Sequence, residues 1–216
     1  MIKNCIIIFS ILLLDQLFKI YVKTHFELGY GFPISSFFWI FFVENPGMAY
    51  GFYIIPGYVG KIVLSIFRCC LIIFMFFFHI NNIKKRLTNY LIIPTSLILS
   101  GSIGNCIDSI LYGILFNIGT IYSKKDQKWL SYSGISKINS FYDLYRKGYA
   151  SFFEGCVVDM FYFPMIDCFL PKWIPVFGGV RFQFFKPVFN VSDISIFLGI
   201  IFLLLFRRKI KNVKFF

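Results

Sequence analysis

Four apolar stretches dominate this chain, running from Asn4 to Val22, Tyr58 to His79, Tyr90 to Phe116 and Val188 to Phe206. Each comes close to or exceeds the about 20 residues that a helix needs to cross the hydrocarbon core of a bilayer. Composition points the same way. Of 216 residues, 58% are hydrophobic and 15% charged, far too apolar for an ordinary soluble domain. The length suits one integral membrane domain over residues 1–216 rather than two. Phe occurs 31 times, but this can follow from nucleotide bias and carries little functional weight.

Charge orients the bundle. The net charge of +12 sits in short basic runs beside the apolar segments. This is the pattern of lipid-headgroup contact and topology signals. No phosphate loop, RNA-binding aromatic motif or recognition helix accompanies it, so a nucleic-acid partner is not expected. Lys3, the Lys84-Lys85-Arg86 run and the Arg207 to Lys214 tail all fall on the cytoplasmic side by the positive-inside rule. Both termini are then cytoplasmic, and the 23–57 and 117–187 connections lie outside. The first stretch begins like a secretory leader, but Asp15, Gln16 and Lys19 stand where small cleavage-site residues belong. A retained helix is expected.

The expected fold is therefore an all-α membrane protein of four transmembrane helices, about 4–22, 58–79, 90–116 and 188–206. Ser123 to Ser151 is rich in Ser, Lys, Tyr and Gly and reads as a surface excursion. Phe152 to Pro187 turns aromatic, with Trp173, Pro175, Gly178 and Gly179. It suits a small extracytoplasmic cap, helical or β, on the membrane surface.

Six cysteines include no Cys-x-x-Cys pair, and His25 and His79 are isolated, so no metal or other cofactor is expected. Cys5, Cys69, Cys70 and Cys106 read as small buried residues. Cys156 and Cys168 are either an extracytoplasmic disulfide or two free thiols.

The chemistry-bearing residues are polar groups in apolar sequence, where an ionised carboxylate is costly. Asp159 stands in Val157-Val158-Asp159-Met160-Phe161 with no local cap evident. Asp193 closes Asn190-Val191-Ser192-Asp193, a capping-box pattern at a helix start. Two carboxyls at one site share a proton, which is the chemistry of aspartic proteases. Asp15 and Lys19 share a helix face, either as a pair snorkelling to the outer surface or as part of a site. Asn45-Pro46-Gly47 signals a turn. Ser96, Ser100, Gly104 and Asp108 form a stripe that allows close helix packing, with Asn105 near its acidic end. Arg68, inside the second span, has no evident partner; Glu44 and Glu154 are candidates.

In this order the motifs resemble the lipoprotein signal peptidase family (signal peptidase II), the prolipoprotein-processing aspartic proteases of bacterial membranes. The matching blocks are Asp15-Gln16-Leu17-Phe18-Lys19, Asn45-Pro46-Gly47-Met48-Ala49-Tyr50-Gly51, Gly101 to Asp108, Gly155 to Asp159 and Phe189 to Asp193. The resemblance implies Asp159 and Asp193 as the catalytic dyad, with Asp15, Lys19, Asn45, Gly47, Asn105, Asp108 and Asn190 lining or bracing the site. It implies an inner-membrane enzyme, active near the periplasmic face and expected to be monomeric. The implied substrate is a prolipoprotein signal peptide cut just before its diacylglyceryl-Cys, with membrane lipids as the other partner. Two departures stand out. Ser109 stands where many members have Arg, so a cation often present near the site is missing, and another residue is expected to replace it. The segment to about residue 154 is longer than in compact members and resembles the Bacteroidota branch.

Two rivals predict different behaviour. A non-enzymatic proton-linked or lipid-binding carrier would transport and not cleave. A Ser/Lys membrane protease would survive Asp→Asn changes at both acids.

Overall fold

Three long helices form the framework of the computed structural model: α1 (Ile2–His25), α2 (Gly57–Lys84) and α3 (Asn89–Leu115). All three are long and apolar enough to cross a membrane. The described residues are 2–47, 57–140, 148–164, 166–169, 171, 173, 179–184 and 187–210. α3 is the central helix, packing against α1, α2 and α4 (Val191–Leu205). Accordingly 56% of its apolar window is buried, against 17% for α1 and α2. The outward faces carry residues such as Phe9, Phe74, Phe77 and Leu204, all exposed. Helices apolar all round are suited to lipid, not water.

The fourth apolar element differs from expectation. Val188–Phe189 form a strand, and α4 starts only after Asn190. Its 15 residues reach about 22 Å, and the four-residue α5 (Arg207–Ile210) follows. The helix is short because its first turn is capped inside the protein. Lys209 donates to the Tyr90 hydroxyl at 3.1 Å, tying this end to the start of α3. The basic residues after α2 and α4 thus gather at one end of the bundle.

β structure covers the other end, so the description all-α is too narrow. Strands β1 (Gly31–Ser35), β2 (Phe38–Asn45), β5 (Val157–Tyr162) and β8 (Val188–Phe189) form an antiparallel sheet in the order β1-β2-β5-β8. Two hairpins, β3–β4 (Ile121–Ser123, Lys128–Leu130) and β6–β7 (Ile166–Phe169, Arg181–Phe184), complete it. The core lies where sheet meets bundle, built from Val22, Phe42, Tyr112, Phe116, Val158 and Met160. Burying each such side chain stabilises the junction by about 1.5–3 kcal/mol. Val158 and Met160 point into this core. Strand alternation therefore turns Asp159, between them, to the opposite face.

The insert is docked rather than a plain surface excursion. Lys23 on α1 is fully buried, ion-paired with Glu44 of β2 and caged by the rings of Phe116, Tyr132 and Tyr149. Glu44 also accepts the Thr120 N–H at 2.7 Å and the Tyr132 hydroxyl at 3.0 Å. Burial and the Glu44 charge push the Tyr132 phenol up, so it stays a donor. An otherwise isolated buried charge is thereby compensated by residues from three separated segments. Cys156 is a free, buried thiol, pushed up to about 12 by burial; the Cys168 side chain lies outside the described residues. Cys5 and Cys70 are exposed on their helices rather than buried.

The small-residue stripe is a packing face. Ser100 Oγ lies 3.3 Å from Ser195 Oγ of α4, and Ser96 Oγ 3.3 Å from His79 Nε2 of α2. Gly101 and Gly104 admit the start of α4. A Cβ at Gly101 would sit 2.3 Å from the Ser192 carbonyl oxygen, and one at Gly104 would sit 2.1 Å from Ser192 Oγ. Gly101→Ala should therefore force α3 from α4 and cost about 1–3 kcal/mol. Thermal unfolding in detergent measures this; an unshifted midpoint would contradict the close approach.

Candidate active site

The site is assembled where α1, α3, the start of α4 and β5 converge. α4 supplies its own cap. Asn190 Oδ1 accepts the Asp193 N–H at 2.9 Å, and Asp193 Oδ2 accepts the Asn190 N–H at 3.2 Å, a full capping box. The capping reading of this sequence is therefore correct but incomplete. With Oδ1 committed to the cap, the Asn190 amide must direct Nδ2 elsewhere. It donates to Asp159 Oδ1 at 2.6 Å and also contacts Asn105 Oδ1 and the Val158 carbonyl at 3.1 and 3.2 Å.

Asn105 repeats the device from α3. Its Oδ1 accepts Lys19 Nζ at 2.9 Å, so its Nδ2 faces Asp193 Oδ1, at 2.8 Å. Two amides, in contact with each other, thus bracket the two carboxyls. Asn45 adds a third donor, Nδ2 to Asp159 Oδ2 at 3.3 Å, and its own Oδ1 accepts the Gly47 N–H at 3.0 Å. Gly47 therefore shapes the turn that presents Asn45. Met48 to Gly51 of the same motif lie outside the described residues.

Asp15, Lys19 and Asp108 lie under this layer, all at 0% exposure. Lys19 Nζ is 2.8 Å from both Asp15 Oδ2 and Asp108 Oδ2. The outer-surface snorkelling option for Asp15 and Lys19 is thus excluded; the pair is interior. The acids reach onward. Asp15 accepts the Ser192 N–H at 2.8 Å, and Asp108 accepts the Val158 N–H at 3.3 Å. Each tethers the residue preceding one of the two site carboxyls. Gln16 closes the group, donating to Asp108 Oδ1 at 3.0 Å while accepting the Tyr112 hydroxyl at 3.0 Å. Gln16 stands inside a motif singled out by sequence, but its linking role was not foreseen.

Asp159 is buried and Asp193 half-buried. Burial first, and the charge of Asp193 second, push the Asp159 carboxyl well above the usual carboxylate range. Lys19, Asn45 and Asn190 oppose that shift without cancelling it. Burial thus favours a proton on the pair, which titrates as one unit.

Arg68 pairs with neither Glu44 nor Glu154. Glu44 belongs to Lys23, and Glu154 accepts the Tyr58 hydroxyl. Arg68 instead donates to the Gly47 carbonyl at 3.2 Å and to Ser109 Oγ at 3.4 Å. Lys61, fully buried and passed over by sequence reasoning, donates to the same hydroxyl at 3.3 Å. A pair of cations from α2 thus converges on Ser109. Its signal was present in the sequence as two basic residues seven apart inside an apolar span.

An apolar helical bundle carrying two amide-bracketed carboxyls beneath a small sheet defines the class of membrane aspartic peptidases. Residues 7–208 match the family model described as signal peptidase (SPase) II. The chain is 40% identical over 199 residues to a lipoprotein signal peptidase of Porphyromonas gingivalis, covering 92% of this chain and 79% of that one. It is 30% identical to a lipoprotein signal peptidase of Amoebophilus asiaticus, covering 90% and 73%. A solved bacterial membrane enzyme, determined by the in meso method, shares the fold at TM-score 0.56 and 20% identity, covering 98% and 94%. The chain belongs to the signal peptidase II family, and the likeness to the Bacteroidota branch holds.

Proposed function

We propose that this protein is a membrane aspartic endopeptidase that frees prolipoproteins of their signal peptides, with Asp159 and Asp193 as its catalytic pair. Family membership supports the activity. The observation that carries the residue assignment is the paired bracket, Asn190 on Asp159 and Asn105 on Asp193. Such fixed amides hold two carboxyls in one geometry while the charge on them changes.

Asp193, at the positive end of α4, takes a proton from a water held between the carboxyls. The oxygen of that water attacks the scissile carbonyl carbon, and Asp159 gives its proton to the carbonyl oxygen. Collapse of the tetrahedral intermediate breaks the C–N bond. The proton on Asp193 passes to the leaving amine, and the proton on the former carbonyl oxygen returns to Asp159. Both carboxyls then regain their starting states. Lys19, Asp15 and Asp108 act through Asn105 and through the backbone on either side, so they are positioning residues.

The whole chain acts as one domain of four spans, α1 to α4, in the inner membrane with both termini cytoplasmic. The basic end of the bundle then faces the cytoplasm, and the sheet with the carboxyls faces the periplasm. A substrate whose cleavage-site Cys carries diacylglycerol fits this arrangement: the lipid stays in the bilayer while the bond before the Cys reaches the outer end. The enzyme works as a monomer. Purified protein should release the signal peptide from a diacylglyceryl-modified precursor and leave the unmodified precursor intact. Equal cleavage of both, or cleavage of neither, would overturn the substrate assignment.

The Ser/Lys reading would rest on Lys61 and Ser109, which are hydrogen-bonded. Ser109 is fully buried and its hydroxyl accepts from two cations, which makes it an anchor rather than a nucleophile. Ser109→Ala should keep activity within about tenfold of the parent, since a triad-type nucleophile would lose far more. A loss above a thousandfold would revive the serine mechanism.

A further inference from the structure

We infer that Arg68 is a positioning residue of the peptidase site, through which α2 controls both carboxyls. Of the four long apolar elements, α2 alone contributes nothing to the carboxyl bracket among the described residues. Its link is Arg68. One end of the guanidinium fork donates to the Gly47 carbonyl, and the other to Ser109 Oγ. Gly47 in turn donates its N–H to Asn45 Oδ1, and Asn45 Nδ2 donates to Asp159. The chain of contacts runs from α2 through the turn to one carboxyl. The Ser109 end continues as well, because Ser109 Oγ donates to the Asn105 carbonyl at 3.3 Å, and Asn105 holds Asp193. A planar fork with several donors can hold two acceptors at a fixed separation; an ammonium cannot reproduce that geometry.

The same guanidinium adds charge. Its strongest attraction among the carboxylates is to Asp193, with Asp108 and Asp159 also felt. Among the described residues, Lys19 of α1, held between Asp15 and Asp108, also acts on Asp159, while Lys61 of α2 and the Cys106 thiol of α3 face Arg68. Lys19 is already held between two acids, so it adds little net positive charge. Arg68 has no carboxylate within ion-pair distance among the described residues, and its field remains available to the pair. Ser109, small and buried, leaves the room into which Arg68 reaches.

This inference rests on the carboxylate-pair reading, and the test separates the two. Arg68→Gln and Arg68→Lys are compared with the parent for kcat, KM and the pH profile on the lipid-modified precursor, with Asp159→Asn run in parallel. Arg68→Gln should lower kcat about ten- to hundredfold, as a small misplacement of reacting groups does. KM should stay within about threefold, because ground-state binding is not what is lost. Removing the positive charge favours the protonated pair, so the acid limb should move up by about one pH unit. Arg68→Lys should return the limb to its place while kcat stays low, because the charge is restored and the fork is not. Unchanged kcat and limb in Arg68→Gln would overturn the inference. So would a rate loss matched by an equal loss of folded protein with the limb unmoved, which marks a mere brace. Should Arg68→Gln fail to insert, the Lys variant carries the test: parental kcat in Arg68→Lys also overturns it. Activity surviving in Asp159→Asn would instead remove the carboxylate pair itself, whatever Arg68 does.

Discussion

Asp159→Asn and Asp193→Asn should each stop precursor cleavage, by at least about a thousandfold, while the protein still inserts and folds. Groups that act as a unit in catalysis show losses of this size when one member is removed. The substitution keeps shape and one acceptor oxygen, exchanges the other for an NH2 donor and removes the titrating group. At Asp159, the new amide oxygen can keep the Asn190 donor, and the shift falls on the longer Asn45 contact, whose NH2 must turn from the new NH2. At Asp193, the side-chain oxygen would still close the capping box with the Asn190 N–H, while the Asn105 amide loses its acceptor. One strained hydrogen bond costs about 1 kcal/mol, far below the rate loss, so the loss should be one of chemistry; single-turnover release of signal peptide beside a thermal unfolding curve measures both. Near-parental cleavage by either variant would dismiss the pair and restore the serine and carrier alternatives.

Lys19→Ala should have the second largest effect, falling on stability as well as rate. The change leaves Asp15 and Asp108 at zero exposure without their shared cation. Breaking one partner out of a buried ionic group costs about 3–5 kcal/mol. It also loosens the Asn105 amide that faces Asp193, leaving Asn190 Nδ2 as its remaining donor. Cleavage by the fraction that remains folded should fall about a hundredfold. Detergent unfolding and specific activity per folded molecule separate the two consequences. Parental values in both assays would mean that the buried triad is a bystander.

Much of this was readable along the chain because it depends on local periodicity. The lengths of the first three apolar runs predict α1 to α3 to within a few residues, since hydrocarbon thickness sets helix length. The Asn190 to Asp193 spacing predicts the capping box, a contact made within a single turn. The i, i+4 relation of Asp15 and Lys19 predicts their pairing. The β content was only an open option, because its strands pair over more than a hundred residues of sequence, as Val43 does with Asp159. The docking of the insert was not foreseen for the same reason: Lys23, Glu44, Phe116, Tyr132 and Tyr149 have no common pattern until folding brings them together.

The sequence by itself determined that this is a helical membrane protein with two expensive carboxyls near the same end, and its ordered motifs pointed to the family. Hydrophobicity and charge act locally and carry that information directly. Only the tertiary structure decided which group orients which carboxyl. Hydrogen-bond partners separated by 31 residues at Asn190–Asp159 and by 88 at Asn105–Asp193 become neighbours solely through packing of α1, α3 and α4 on the sheet. Tertiary packing also decided that Arg68 and Lys61 turn to Ser109 rather than to an acid, because the nearby glutamates are already held by Lys23 and Tyr58.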